Sequence, residues 1–313
     1  MNELEYLKNS ENEIITVDTL NKKNDCFVRY LFSDRGNENI VLDFINGVMI
    51  DSNFKTFSNV EILNPFNLSK YLDGKESIVD VPKGRRAKCI TEDNDTVIIE
   101  IQLQGNQYFI GRSLYYWANS YSSLLNKSDN YTKLAPVIGM NILDFTIFSD
   151  IKDFHSCYLL KEIKHNIILT DHCMLHYIEL PKFNLNDFEN KEKINTWIKF
   201  FKGENMSNLI KENNIFEEVE KRCQNFIESD PLINAYRKKE WEDYFHKGEL
   251  LTEREEGIKE GRIEGKLEGI KEGMKKGIKD EKYSIAKSLK NSGLDNKFIS
   301  EHTGLSIDEI EKL

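Results

Sequence analysis

The chain has 313 residues, 39% of them hydrophobic and 31% charged. That composition excludes an intrinsically disordered chain and leaves room for one sizeable core or two modest domains. Its formal net charge of −10 excludes a uniformly basic nucleic-acid binder, because affinity for DNA rests mostly on cationic contacts to phosphates; a DNA surface here has to be a local basic patch on an acidic body.

The five cysteines (Cys26, Cys89, Cys157, Cys173, Cys223) are dispersed, odd in number and without a CxxC pair. Neither a disulfide framework nor a cysteine zinc site is indicated. No apolar run approaches the ~18 residues that span a bilayer, so no membrane association is expected. The acidic start Met1-Asn2-Glu3-Leu4-Glu5 lacks a secretory h-region, and a reducing cytoplasm is the expected location.

Residues 1–20 are polar and read as a loose N-terminal arm. Over 24–49, Phe27, Leu31, Phe32, Ile40, Val41, Phe44, Ile45 and Val48 recur at helical spacing, with a turn at Ser33-Asp34-Arg35-Gly36. Short β-like runs follow at 60–63, 77–81 and 97–103. The stretch 82–96, rich in Asn, Asp and Gly, reads as a hairpin loop between the last two. Residues 108–125 are helical and aromatic. Two further strands are expected at 137–148 and 167–180, the second ending at Pro181. From 184 to about 250 the chain is helical and charged, with Trp197, Phe200, Phe201 and Trp241 as core residues.

The run Val97-Ile98-Ile99-Glu100-Ile101-Gln102-Leu103 carries the chemistry. Side chains alternate along a strand, so Glu100 and Gln102 share one face while Val97, Ile99, Ile101 and Leu103 share the other. A carboxylate in so apolar a run costs several kcal/mol, roughly, unless it is paired or holds a metal. Upstream, Ser77-Ile78-Val79-Asp80-Val81 ends in a second acid. Two short strands that each deliver a carboxylate suit a divalent metal and phosphodiester hydrolysis.

An internal repeat occupies 253–280. Gly257, Gly261, Gly265, Gly269, Gly273 and Gly277 fall every four residues, and Glu256, Glu260, Glu264, Glu268 and Glu272 keep the same period. Each glycine costs a helix roughly 1 kcal/mol against alanine. Either the glycines permit close helix–helix approach in a homo-oligomer, with Ile258, Ile263, Leu267, Ile270, Met274 and Ile278 as the apolar seam, or the segment is a charge-balanced tether. In 281–313, three short helical runs (283–289, 296–301, 307–313) alternate with Gly293 and Gly304, and Ser306 with Glu309 resembles a capping box. Its balanced charge favours a small packing or partner-binding unit over a DNA reader.

His172 and His176 flank Met174. On a helix they would make an i, i+4 metal pair, but the segment reads as a strand and the histidines as structural. No glycine-rich phosphate loop follows a strand, so no nucleotide cofactor is indicated.

Asp80, followed by Glu100-Ile101-Gln102, resembles a PD-(D/E)xK nuclease core with glutamine in place of the usual lysine. The flanking segments sharpen the likeness: Asn24-Asp25-Cys26-Phe27-Val28-Arg29-Tyr30-Leu31-Phe32, Phe109-Ile110-Gly111-Arg112-Ser113-Leu114-Tyr115-Tyr116-Trp117, Tyr131-Thr132-Lys133-Leu134-Ala135-Pro136-Val137-Ile138 and Ile178-Glu179-Leu180-Pro181-Lys182-Phe183. Together they resemble the Rpn-type recombination-promoting nucleases, a transposase-like family of the PD-(D/E)xK superfamily.

The resemblance implies an α/β fold: a restriction-endonuclease-like core with a mixed central sheet over 21–183, a helical extension over 184–252, the repeat and the tail unit. It implies a Mg²⁺-dependent endonuclease acting on double-stranded DNA, with Asp80 and Glu100 as metal ligands and Gln102 in the lysine's place. Gln102 can orient a water but cannot supply the lysine's positive charge. Asp25 is a further acidic candidate, or else a helix N-cap. Arg112 is a candidate phosphate contact, or else a salt bridge that orients Glu100. Relative to the family pattern, extra residues lie around 82–87; Asp93 and Asp95 are therefore alternatives to Asp80. The same insertion brings Lys83, Arg85, Arg86 and Lys88 near the site as a DNA-binding patch. The alternative function is a non-catalytic scaffold that retains the nuclease fold.

Overall fold

The computed structural model describes residues 14–69, 86–103, 105, 108–126, 128–184 and 193–313. The run containing Asp80 lies outside these residues, as do Lys83 and Arg85. The chain divides into two compact units, 1–242 and 243–313.

In the first unit, α1 (Asp25–Ser33) and α2 (Glu38–Asp51) are joined at Gly36, whose φ of 87° suits a residue without Cβ. Among the described residues six strands follow: β1 (Val60–Ile62), β2 (Arg86–Thr91), β3 (Thr96–Gln102), β4 (Val137–Leu143), β5 (His155–Glu162) and β6 (Ile167–Glu179). They form one mixed sheet in the order β1-β2-β3-β4-β6-β5. β3, β4 and β6 run parallel at its centre, and β1, β2 and β5 are antiparallel to their neighbours. Helix α3 (Phe109–Ser122) forms the β3–β4 crossover, and α4 (Lys193–Phe201), α5 (Met206–Glu212) and α6 (Phe216–Ile227) follow the sheet. This is the α/β arrangement expected of a PD-(D/E)xK core.

Each sheet face has its own packing. Val97, Ile99 and Ile101 of β3, with Ile138, Met140 and Ile142 of β4, join Phe27, Phe32, Phe44, Trp197, Phe200 and Phe226 in one continuous core. The opposite face carries Leu143, Cys173, Leu175 and Tyr177 against Phe109 of α3. Alternation along the strands thus sends Glu100 and Gln102 to the α3 side. Leu20, within the expected arm, is buried in the main core.

Residues 82–96 are not one long hairpin loop. Arg86–Thr91 form β2, antiparallel to β3, and the reversal is confined to the turn before Thr96, where Asn94 has φ 66°. Ala87, Cys89 and Thr91 are buried while Lys88 and Ile90 between them are half-buried, a period-2 pattern hidden by the charges of Arg86 and Lys88 in the sequence. β5 was not anticipated either; it is an edge strand whose residues are half-buried or exposed, so hydrophobic alternation does not mark it.

Helix α7 (Asp230–Asn291) starts in the first unit and contains the glycine repeat. A Cβ placed on any of Gly257, Gly261, Gly265, Gly269, Gly273 or Gly277 would meet nothing within 4 Å. A four-residue repeat also drifts by about 40° per step around an α-helix, so the glycines wind around α7 instead of lining one face. In the second unit the end of α7 packs with α8 (Asn296–Thr303) and α9 (Ile307–Glu311) around Ala286, Ile299, Leu305 and Ile310. Asp295 caps α8, Gly304 ends it at φ 69°, and Ser306 with Glu309 forms the capping box that opens α9.

Candidate active site

Glu100 stands within β3, between the antiparallel neighbour β2 and the parallel neighbour β4. In register it opposes Arg86 on one side and Asn141 on the other. It is only 6% exposed. A carboxylate buried to this extent requires a countercharge or strong hydrogen bonds. α3 provides one: Arg112, in its first turn, reaches back to the strand. Its Nη2 lies 3.3 Å from Glu100 Oε1 and donates to Gln102 Oε1 at 2.5 Å. The Phe109 ring lies under the guanidinium, 5.0 Å from Cζ to the centroid. One cation therefore ties together the two polar side chains of the ExQ run.

The position of Arg112 is itself informative. The first turn of a helix is the positive end of its dipole and favours anions. α3 carries no acidic residue there and no side-chain cap. The two strand oxygens, not the helix, account for a cation at this place.

The start of α1 is fastened to the same end of β3. Asp144 donates its backbone N–H to the Gln102 carbonyl at 3.0 Å and receives Lys23 Nζ on its carboxylate at 2.6 Å. Lys23 precedes Asp25 by two residues, so the chain just before α1 lies near the Gln102 end of β3. Asp25 does not cap α1. That role belongs to Asn24, whose Oδ1 accepts from Cys26 N at 3.0 Å and Phe27 N at 3.4 Å. Either residue type can cap, so sequence alone did not separate the neighbours. Asn24 is held in turn by Glu240 at the start of α7, at 2.7 Å.

Asp93 and Asp95 lie in the β2–β3 turn, beyond the other end of β3. At about 3.3 Å per residue, Asp95 is some ~16 Å along the chain from Glu100. Asp93 pairs with Lys55 at 2.8 Å, and burial raises the carboxyl pKa of Asp95. Neither shares a site with Glu100. Of the basic candidates, Arg86 occupies the register position opposite Glu100, and Lys88 follows it on β2, half-buried.

Among the described residues no group of three or more His, Cys, Asp or Glu side chains is placed to hold a metal. His172 and His176 both fall on β6, as the strand reading required, and meet different partners: Tyr121 Oη lies 2.9 Å from His172 Nδ1. His176 belongs to a buried chain that sequence reading missed. Asp51 Oδ2 lies 2.5 Å from His155 Nδ1, His155 Nε2 lies 3.1 Å from His176 Nδ1, and Cys157 Sγ lies 3.8 Å from His176 Nε2. Burial, with His155 adding to it, pushes the His176 pKa down to about 3. His155 sits on the unanticipated β5, which is why no pairing was visible beforehand.

No curated protein and no solved structure matches the chain. A family model described as PD-(D/E)XK nuclease family transposase matches residues 22–260, well over half of its length, and takes in the sheet, α3 and Glu100. With a mixed sheet that buries an acidic residue on its central strand, this chain belongs to the PD-(D/E)XK nuclease family of transposases.

Proposed function

We propose that the protein is a Mg²⁺-dependent endonuclease that hydrolyses phosphodiester bonds of double-stranded DNA, of the recombination-promoting, transposase-like kind. The observation that carries this reading is the buried carboxylate of Glu100 beside the amide oxygen of Gln102 on one strand, joined by a single guanidinium. Carboxylate oxygens are hard donors of the kind that Mg²⁺ takes, so Glu100 fits the ion, while the Gln102 oxygen is engaged by Arg112. Glu100 and Asp80 would hold it, with Asp25 as a third acid. Bound there, Mg²⁺ supplies Lewis acidity toward the phosphate and lowers the pKa of an attacking water.

Gln102 orients that water by hydrogen bonding. Arg86 and Lys88, with Lys83 and Arg85 outside the described residues, hold the DNA backbone near the site. A cytoplasmic location completes the reading.

Nicking of supercoiled plasmid by the purified chain is expected with Mg²⁺ and not with EDTA. Glu100→Ala should lower it by at least ~100-fold. Undiminished nicking by that variant would contradict the assignment. A second reading, a DNA-binding scaffold that does not cleave, is favoured by the glutamine in the lysine's place and by the net charge of −10. Retained DNA binding without nicking by either protein would select it.

A further inference from the structure

Gln102 leaves the ExQ run without a cation, yet the structure places one between its two side chains. We propose that Arg112, contributed by α3, is the positioning residue that replaces the missing lysine of the strand. This rests on the nuclease reading above.

Three observations support it. First, Arg112 Nη2 addresses both members of the run, Glu100 Oε1 at 3.3 Å and Gln102 Oε1 at 2.5 Å. With its oxygen committed to the guanidinium, the Gln102 amide has a fixed orientation and presents its NH₂ as the donating end. A lone glutamine has no such preference, so this contact fixes which end of the amide accepts and which donates. Second, the guanidinium is held in place: it stacks over Phe109, and its side chain is only 28% exposed. Third, among the described residues Arg112 Nε is buried without a hydrogen-bond partner. An orphaned donor in an interior costs on the order of 1–3 kcal/mol. A cation kept there at that cost, and at the unfavourable end of a helix dipole, is placed for the oxygens it addresses and not for packing.

The role is one of charge and orientation. The guanidinium neutralises a buried carboxylate, fixes the amide, and stands beside the place where negative charge accumulates as a phosphodiester is attacked. It also repels a divalent cation bound to Glu100. Removing the charge should therefore act in opposite directions on cleavage and on metal binding, which a merely structural residue would not do.

The test compares the full chain with Arg112→Gln and Arg112→Lys by plasmid nicking in Mg²⁺, and by calorimetric titration with Mn²⁺ in the absence of DNA. Circular dichroism verifies the fold. Arg112→Gln should lose at least ~100-fold in nicking while binding Mn²⁺ roughly tenfold more tightly. Arg112→Lys should recover part of the nicking and return the Mn²⁺ affinity toward that of the parent. Undiminished nicking by Arg112→Gln would overturn the proposal. Loss of Mn²⁺ binding together with nicking, unrescued by lysine, would do so equally, since it marks Arg112 as a support for Glu100 only. If the parent chain does not nick DNA, the nuclease reading falls, and the titration decides about Arg112 alone: tighter Mn²⁺ binding in Arg112→Gln upholds its electrostatic role, and equal binding removes it.

Discussion

At the scale of single residues, His176 shows how burial, with a neighbouring histidine adding to it, sets behaviour with pH. An unfolded histidine titrates near 6.5, whereas His176 is pushed down to about 3. Between those values the unfolded chain binds a proton that the folded chain refuses, so stability falls as pH drops below about 6.5 and is flat above it, with a slope of up to about 1.4 kcal/mol per unit. Denaturant unfolding at pH 7.5 and pH 5.0 should show this loss in the parent chain and a smaller one in His176→Gln; identical pH dependence in both would contradict it. The thiols of Cys89 and Cys223, raised to about 12 by burial, should stay unmodified by a thiol reagent at pH 8 until the chain unfolds. Glu100 and Gln102 were legible from sequence because two polar residues break an apolar strand on one side. The link to Arg112 was not fixed by sequence, since a guanidinium ten residues away has several partners until α3 is docked. The cap at Asn24 was ambiguous for the same kind of reason: Asn and Asp adjoin, and both accept from a helix's first N–H groups.

At the scale of elements, hydrophobic periodicity identified what is buried on one face and failed where charge or exposure obscures it. α1 and α2, β3 and β4 were legible from their apolar spacing. β2 was read as loop because Arg86 and Lys88 outweigh the small buried residues Ala87 and Cys89. β5 was missed because an edge strand needs few apolar residues. The repeat in α7 leads to a separate expectation. Since a Cβ on its glycines meets open space within the chain, Gly261→Ala with Gly269→Ala should stabilise the helix by roughly 1 kcal/mol per site. A thermal melt followed at 222 nm would detect this. A fall in melting temperature would instead mean that the glycines are packed against another chain.

At the scale of the whole molecule, one hydrophobic core runs through the first unit from Leu20 to Tyr236. Phe27 of α1 packs edge-on to Phe226 of α6 at 5.2 Å, and Trp197 of α4 lies 5.5 Å from Phe44 of α2. The helices after the sheet therefore complete the core that supports the site. Trp197→Ala should cost about 3–5 kcal/mol, measurable by urea unfolding, and a chain ending at residue 183 should not fold. Helical spacing and segment reading singled out Phe27, Phe44 and Trp197, but only the fold shows that they support β3 from behind while α3 covers its other face.

The most direct test of the proposed chemistry is plasmid nicking by Glu100→Gln, a substitution that keeps the shape of the side chain and removes its charge. Circular dichroism and melting should show the parent fold, while Mg²⁺-dependent nicking should drop by at least ~100-fold. Nicking at the parent rate by a folded Glu100→Gln chain would contradict the placement of the active site on β3.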